Sequence, residues 1–369
     1  AARRVPGARD AVTGVVDVEK TLRSRDVFSS HWDDKGQAQW VESVGATLFR
    51  GYGRLSGPKQ VEVSDKDSSR HTLTARRAVV IATGTVAAIP PIEGMAEVQP
   101  WTSREITTAN HVPERLVVLG GGVVGAEMAQ AWKWLGAKEV TIIEMQPRLL
   151  PLEEPFAGEL VEKAFLEMGI LVRTGIAAAA ATRRNGEVTV TLQDGSLVAG
   201  DEVVVATGRK SATVGIGLES VGLDPGKYIA VNDHLQVTGV DGGWLYAVGD
   251  VNGRALFTHQ GKYQARIAGD HIIGKEVAAW ADDVAVPRVI FTEPQVAAVG
   301  PTEEQAREKG LQVQTVEVPY GSTAAASLLG QGVEGRAKLV IDGESRTIIG
   351  ATFAGPNAGE LIHAATVAI

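Results

Sequence analysis

The feature that most restricts how this chain can fold is a glycine loop set between a strand and a helix. Leu116-Val-Val-Leu119 has the character of a buried strand, Gly120-Gly-Gly122-Val-Val-Gly125 follows as a tight loop, and residues 126–135 read as a helix closed by Gly136. Val140-Thr-Ile-Ile143 is then a second strand, ending in Glu144, 24 residues after Gly120. Glycines at these positions permit the turn, let backbone approach a pyrophosphate and allow the helix to pack closely on the strand. The free N–H groups and positive end of the new helix meet the phosphates. A carboxylate at the end of the second strand accepts hydrogen bonds from both ribose hydroxyls and repels a 2′-phosphate, so NAD(H) is expected over NADP(H). Gly120, Gly122, Val124, Gly125 and Glu144 are the candidate residues for this ligand. Glu127, read in the first helical turn, serves either the helix dipole or the ligand. Arg148 is the nearby cation for a 2′-phosphate, but with Glu144 at the ribose position it reads as a solvent-facing loop residue.

At 369 residues the chain exceeds one ordinary core and suits two or three domains. Residues 1–30 carry Val15, Val18, Leu22 and Val27 at roughly helical spacing and read as an exposed helical connector. Residues 46–49, 60–63 and 72–74 read as an antiparallel meander, and 77–84 as a buried strand running into a glycine. After the second strand of the glycine-loop unit, a helix over 155–168 and a strand over 170–172 continue the β-α-β alternation of a doubly wound parallel sheet. Residues 188–192 and Val198 make a second small meander. The two endings Val79-Val-Ile-Ala-Thr-Gly84 and Val203-Val-Val-Ala-Thr-Gly208 repeat, each after a meander, as two similar nucleotide-binding domains in one chain would require. From about residue 285 the pattern becomes α+β. Strands are expected at 288–291, 296–299, 313–318, 337–341 and 348–353, with helices over 302–309 and from Ala358.

Two further segments invite a ligand. Trp244-Leu-Tyr-Ala-Val-Gly-Asp250 is an apolar strand ending in Gly249-Asp250, where the aspartate is either a turn residue or a hydroxyl acceptor. Thr258-His259-Gln260 begins a helix to about Ile273, with Thr258 as its N-cap, so that free N–H groups point at whatever lies beyond Asp250. His259 is either a capping-region histidine or an acid/base.

Composition removes several classes. The formal net charge of −8, with no cationic cluster, disfavours nucleic acid. No apolar run approaches the roughly 18 residues of a membrane span, and residues 1–10 lack a signal-peptide core, so a soluble, cytoplasmic protein is expected. The absence of cysteine excludes disulfide and thiol chemistry within these residues. The histidines show no metal-ligand spacing, so no metal is expected, and no hydrolase motif is present.

Taken together, these residues resemble the flavoprotein disulfide reductases, the pyridine nucleotide-disulfide oxidoreductases that include dihydrolipoamide dehydrogenase and mercuric reductase. The markers are Ala82-Thr-Gly84, the fingerprint from Gly120 to Glu127, Ala206-Thr-Gly-Arg209, Ala247-Val-Gly-Asp250 and Pro287-Arg-Val-Ile-Phe-Thr-Glu-Pro294 through Val299-Gly300. The resemblance implies an α/β fold with two Rossmann-like FAD- and NAD-binding domains, each a parallel sheet plus β-meander, followed by an α+β dimerisation domain. Its segments fall at 1–87 (FAD-binding, first segment), 88–212 (NAD-binding), 213–284 (FAD-binding, second segment) and 285–369 (dimerisation). It implies FAD and NAD(H) as cofactors, Thr83 and Gly84 beside the flavin, Asp250 with Gly249 on its ribityl and pyrophosphate region, and Thr258, His259 and Gln260 directing N–H groups to the flavin carbonyl. Glu127 would approach the nicotinamide, and Gly208 and Arg209 would border the NADH. The family also has a flavin-domain GxGxxG, a Cys-x4-Cys pair and a terminal His-x4-Glu, none of which occurs here, so no catalytic residue is expected within the chain and it reads as an internal fragment. The function implied is hydride transfer from NADH to flavin and onward to a disulfide or dihydrolipoamide-type acceptor, in a homodimer. A quinone or small-acceptor reductase without a redox disulfide, and a redox-inactive nucleotide-binding dimer, are the alternatives.

Overall fold

The computed structural model describes residues 7–67, 69–330 and 332–369, which divide into two units. Residues 1–6 of the expected connector lie outside the described residues. One unit joins Ala87–Gly208 to Val284–Ile369, together with the start of the chain; the other joins Glu19–Val86 to Arg209–Asp283.

In the first unit, four strands form a parallel sheet in the order Glu202–Val205, Arg115–Leu119, Glu139–Ile143, Ile170–Arg173. The first three runs are apolar on both sides because both faces are covered, whereas the edge strand Ile170–Arg173 leaves Leu171 exposed. Leu116 and Val118 pack with Trp132, Val161 and Phe165 of the helices Val123–Trp134 and Pro155–Glu167. Val117 and Leu119 point the other way, onto Val188, Val190 and Leu192 of an antiparallel meander. The layers are therefore helices, parallel sheet and meander. The strand Ala178–Arg184 of that meander escapes the sequence reading, since its alanines carry no strand preference; it is held by pairing with Glu187–Leu192 and by burial of Ala181.

The same unit contains a five-stranded antiparallel sheet in the order Arg288–Ile290, Gln295–Val299, Ile348–Gly355, Arg336–Asp342, Val313–Pro319. The strands expected at 337–341 and 348–353 pair as a hairpin, with Ile341 opposite Ile348 and the turn closed by Ser345 N–H and Oγ donating to the Asp342 carboxylate. Ala358, Ile362 and Ala365 cover one face of this sheet at Ala297, Val299 and Ala351. Two ion pairs, one part-buried and one buried, bolt it to the residues before the second helix: Arg288 donates twice to Glu153, at 2.7 and 2.9 Å, and Lys338 donates to Glu154 at 2.9 Å.

In the second unit, Tyr52–Gly57, Gln60–Ser64 and Arg70–Thr74 form the meander. Its first strand lies downstream of the expected 46–49, which forms no strand. The tight turn at Pro58-Lys59, with Lys59 at φ 59°, sets Gly57 opposite Gln60 and Tyr52 opposite Ser64, so the partner strand must fall on 52–57. The expected buried strand over 77–84 shortens to Val79–Ile81, parallel to Leu245–Ala247, and only Ile81 is buried. The helices Val18–Phe28 and Lys35–Ser43 bury no residue. Both Ala-Thr-Gly endings follow a meander and a parallel strand, and their glycines Gly84 and Gly208 both have positive φ, at 70° and 134°.

Candidate functional site

The glycine loop is shorter than expected, because the helix begins at Val123 with Gly122 as its N-cap. Gly125, expected in the loop, is therefore in the first helical turn, where a Cβ would collide with the Gly120 carbonyl; this is the close helix-to-strand packing that only glycine allows. Cβ atoms at Gly120 and Gly121 would run into Ala206 and into Leu149 and Glu144, whereas one at Gly122 would meet nothing within 4 Å. The loop is thus closed on its protein side and open on the other. No side chain caps the helix start, so its first N–H groups face that opening.

Glu144 is buried at the end of its strand and ties the loop together. Its carboxylate accepts from Gly121 N–H at 2.6 Å and from Gln146 N–H at 2.7 Å. Each oxygen keeps a second lone pair for a further donor. Arg148 is not solvent-facing: its guanidinium donates to the carbonyls of Leu150 and Pro151, both at 2.9 Å, because the chain there turns back under it. Glu127 is the fifth residue of the helix, outside the first turn, since the helix starts three residues early. Its carboxylate accepts from Phe291 N–H at 2.7 Å, and burial pushes its carboxyl above the usual range against that bond. Gln130, one turn on, exchanges two bonds with the Glu293 backbone.

In the second unit, Asp250 sits in the 3-10 turn Gly249–Asn252 and accepts from Thr85 Oγ1 at 2.8 Å. Arg209 donates to Thr85 through Nε at 2.6 Å and lies 4.0 Å from Asp250, which brings it to these residues. The helix Thr258–Ile272 starts one residue earlier than a Thr258 cap requires: Phe257 is the N-cap and no side chain caps the end, so its free N–H groups remain. A Cβ at Gly261 would stand 3.4 Å from the Gly249 Cα, so helix start and turn meet through two glycines. Thr83 and His259 are exposed, with the His259 ring stacked on Phe257. Gln260 is buried and spends its side chain on Asp282, donating at 2.6 Å.

Residues 11–271 match the family described as Pyridine nucleotide-disulphide oxidoreductase, and residues 286–369 match its dimerisation domain. The chain belongs to this family. It is 35% identical over 343 residues to a dihydrolipoyl dehydrogenase of Thermus scotoductus, covering 90% of this chain and 71% of that one. It is 31% identical over 363 residues to a mercuric reductase of Staphylococcus aureus, covering 97% and 64%. Among solved structures, LpdA from Mycobacterium tuberculosis superimposes with a TM-score of 0.83 at 28% identity, over 98% of this chain and 78% of that one. The fold is also that of the flavoprotein disulfide reductase RclA of Escherichia coli, at a TM-score of 0.84, 23% identity and coverage of 95% and 79%.

FAD and a nicotinamide nucleotide are the cofactors of this pyridine nucleotide-disulphide oxidoreductase family. The chain's donors and acceptors fit them. The open side of Gly122 and the uncapped helix start suit a pyrophosphate, and Glu144 suits a ribose. Asp250, whose Oδ1 has no hydrogen bond among the described residues, and the uncapped helix at Thr258 suit a polyhydroxyl chain and a carbonyl. Sequence reasoning missed Asn252, Gln264 and Asp282, which hold the Gly249–Asn252 turn and carry no motif. Among the described residues, no group of three or more His, Cys, Asp or Glu could hold a metal, and no helix is long and apolar enough to cross a membrane.

Proposed function

We propose that the chain carries the NADH-binding and flavin-holding parts of a two-electron reductase whose acceptor is a disulfide, the oxidised lipoamide type included. The observation that carries this reading is Glu144, a carboxylate at the ribose position that also locks the glycine loop. Gly120, Gly122, Val124 and Gly125 hold the pyrophosphate, Glu144 the adenosine ribose, Glu127 the nicotinamide end, and Gly208 the outer side of the loop. Thr83, Gly84, Gly249, Asp250 and the N–H groups of Thr258, His259 and Gln260 hold the flavin, with Arg209 orienting Thr85. Bound, the two cofactors supply a hydride donor and acceptor, and the protein's part is to orient them and exclude water. The segments 1–87, 88–212, 213–284 and 285–369 are the domains of this reading. Two subunits pair through the last, a reading supported by its match to the family's dimerisation domain. A cytoplasmic location accords with the lack of a membrane-crossing helix among the described residues. The test is spectroscopic: the purified protein should be yellow and should bleach anaerobically with NADH faster than with NADPH. A colourless protein that takes up no added FAD would refute the proposal.

A further inference from the structure

We infer that Asp282 is a positioning residue for the flavin side of the site: its buried carboxylate decides which way round the Gln264 amide lies, and through that amide it holds the turn bearing Asp250. The inference rests on the flavin reading of that turn.

The Asp282 side chain is 0% exposed. Its Oδ1 accepts from Gln260 Nε2 at 2.6 Å, and its Oδ2 accepts from Gln264 Nε2 at 2.9 Å and lies 3.2 Å from Arg254 Nε. An ionised carboxylate only accepts, so both amides must turn their NH2 ends toward it. The oxygen of Gln264 is thereby aimed the other way, where two donors converge on it: Gly249 N–H at 2.7 Å and Asn252 Nδ2 at 2.8 Å. Asn252 in turn donates to Ala247 O at 3.1 Å, at the end of the strand, and accepts from Arg254 N–H at 3.0 Å. Gln264 is fully buried. If it were reversed, its NH2 would face two donors with no water to take up the difference, and the Gly249–Asn252 turn would loosen. Gln260 ties the first turn of the helix to the same carboxylate. Helix start and turn, the two backbone features proposed to meet the flavin, thus take their alignment from one acidic group. Asp282 touches the helix start through Gln260 and reaches the turn only through Gln264.

The polarity of this relay can be swapped. Asp282→Asn introduces a donor where both amides present donors, and Gln264→Glu sets a carboxylate against a carboxylate. With both changes made, the amide introduced at position 282 can donate to the carboxylate introduced at position 264, whose other oxygen still accepts from Gly249 and Asn252, while Arg254 gives up its pairing with position 282 and keeps those with Asp233 and Asp283. The measurement is the FAD dissociation constant of the full chain by flavin fluorescence, after deflavination and re-addition of FAD, alongside thermal unfolding. Each single variant should weaken FAD binding about tenfold, and the double variant should return to within about threefold of wild type. Singles that bind FAD like wild type, or a double no better than the worse single, would overturn the inference. If Asp282→Asn fails to fold, the double variant must still fold and bind, and its failure would overturn the inference equally. A wild-type protein that takes up no FAD would instead strike the flavin reading.

Discussion

Glu144 closes the glycine loop on itself before any ligand arrives, so its loss should be felt twice. Glu144→Ala removes the charged acceptor proposed for ribose hydroxyls, on the order of 1.5–3 kcal/mol for a hydrogen bond to a charged group, and frees the Gly121 and Gln146 N–H groups. The expected outcome in stopped-flow flavin reduction is a marked preference for NADH in wild type that narrows in the variant. Equal or reversed wild-type rates would sink the nicotinamide assignment and point to Arg148, two of whose donors hold the Leu150 and Pro151 carbonyls, as a phosphate ligand. Asp250→Ala should release FAD on extensive dialysis, and full flavin retention would contradict the role given to Asp250. Glu127 offers a pH test. Burial raises its folded-state pKa above the unfolded value, so its contribution to stability is complete below the unfolded pKa and is lost as pH rises through the folded one. Glu127→Gln keeps the acceptor for Phe291 N–H without the charge. The melting temperature of the variant relative to wild type should therefore climb from acid to neutral pH; a difference constant over that range would show that the buried charge is not what matters there.

Among the elements, what could be read in advance was what is contiguous. Strand, glycine loop, helix and terminal carboxylate lie within residues 116–144, and each constrains the next through backbone geometry. The helix start was misjudged because valines at 123 and 124 and a glycine at 125 disguise a first turn whose packing, not propensity, decides it. The relay from Asp282 through Gln264 to Gly249 was invisible for the opposite reason: it joins three separate segments, and no spacing rule links a buried amide to its partners. The same holds for the bolts between the parallel-sheet domain and the antiparallel sheet. Lys338, buried, reaches Glu154 at 2.9 Å and Glu303 at 2.7 Å, and burial opposes its charge while the two carboxylates more than restore it. Lys338→Met should lower unfolding stability by about 3–5 kcal/mol, the usual consequence of stranding a buried charge. Adding Glu154→Gln should recover part of that. Denaturant titration checks both, and a single variant within experimental error of wild type would mean that water or the Glu303 backbone N–H, which donates to Glu154 at 2.8 Å, alone satisfies Glu154.

At the scale of the whole molecule, the antiparallel sheet leaves Val316 and Val318 exposed on its edge strand, and the last helix leaves Val367 89% exposed. Apolar surface of this kind, on a domain that matches a dimerisation family, is where a second copy is expected to seat. Sedimentation should give a dimer at micromolar concentration, and Val316→Asp with Val367→Asp should shift it toward monomer; a wild type that stays monomeric would refute the proposal. The helix that opens at the glycine loop is pinned, at Glu127 and Gln130, to the backbone of Phe291 and Glu293 in this same domain. If those pins respond to occupancy of the loop, subunit association and nucleotide affinity become linked equilibria, and whatever factor one gains from the other must be returned. The nucleotide dissociation constant would then drift with protein concentration across the monomer–dimer range, so that each subunit's appetite for NADH reports how crowded the protein is.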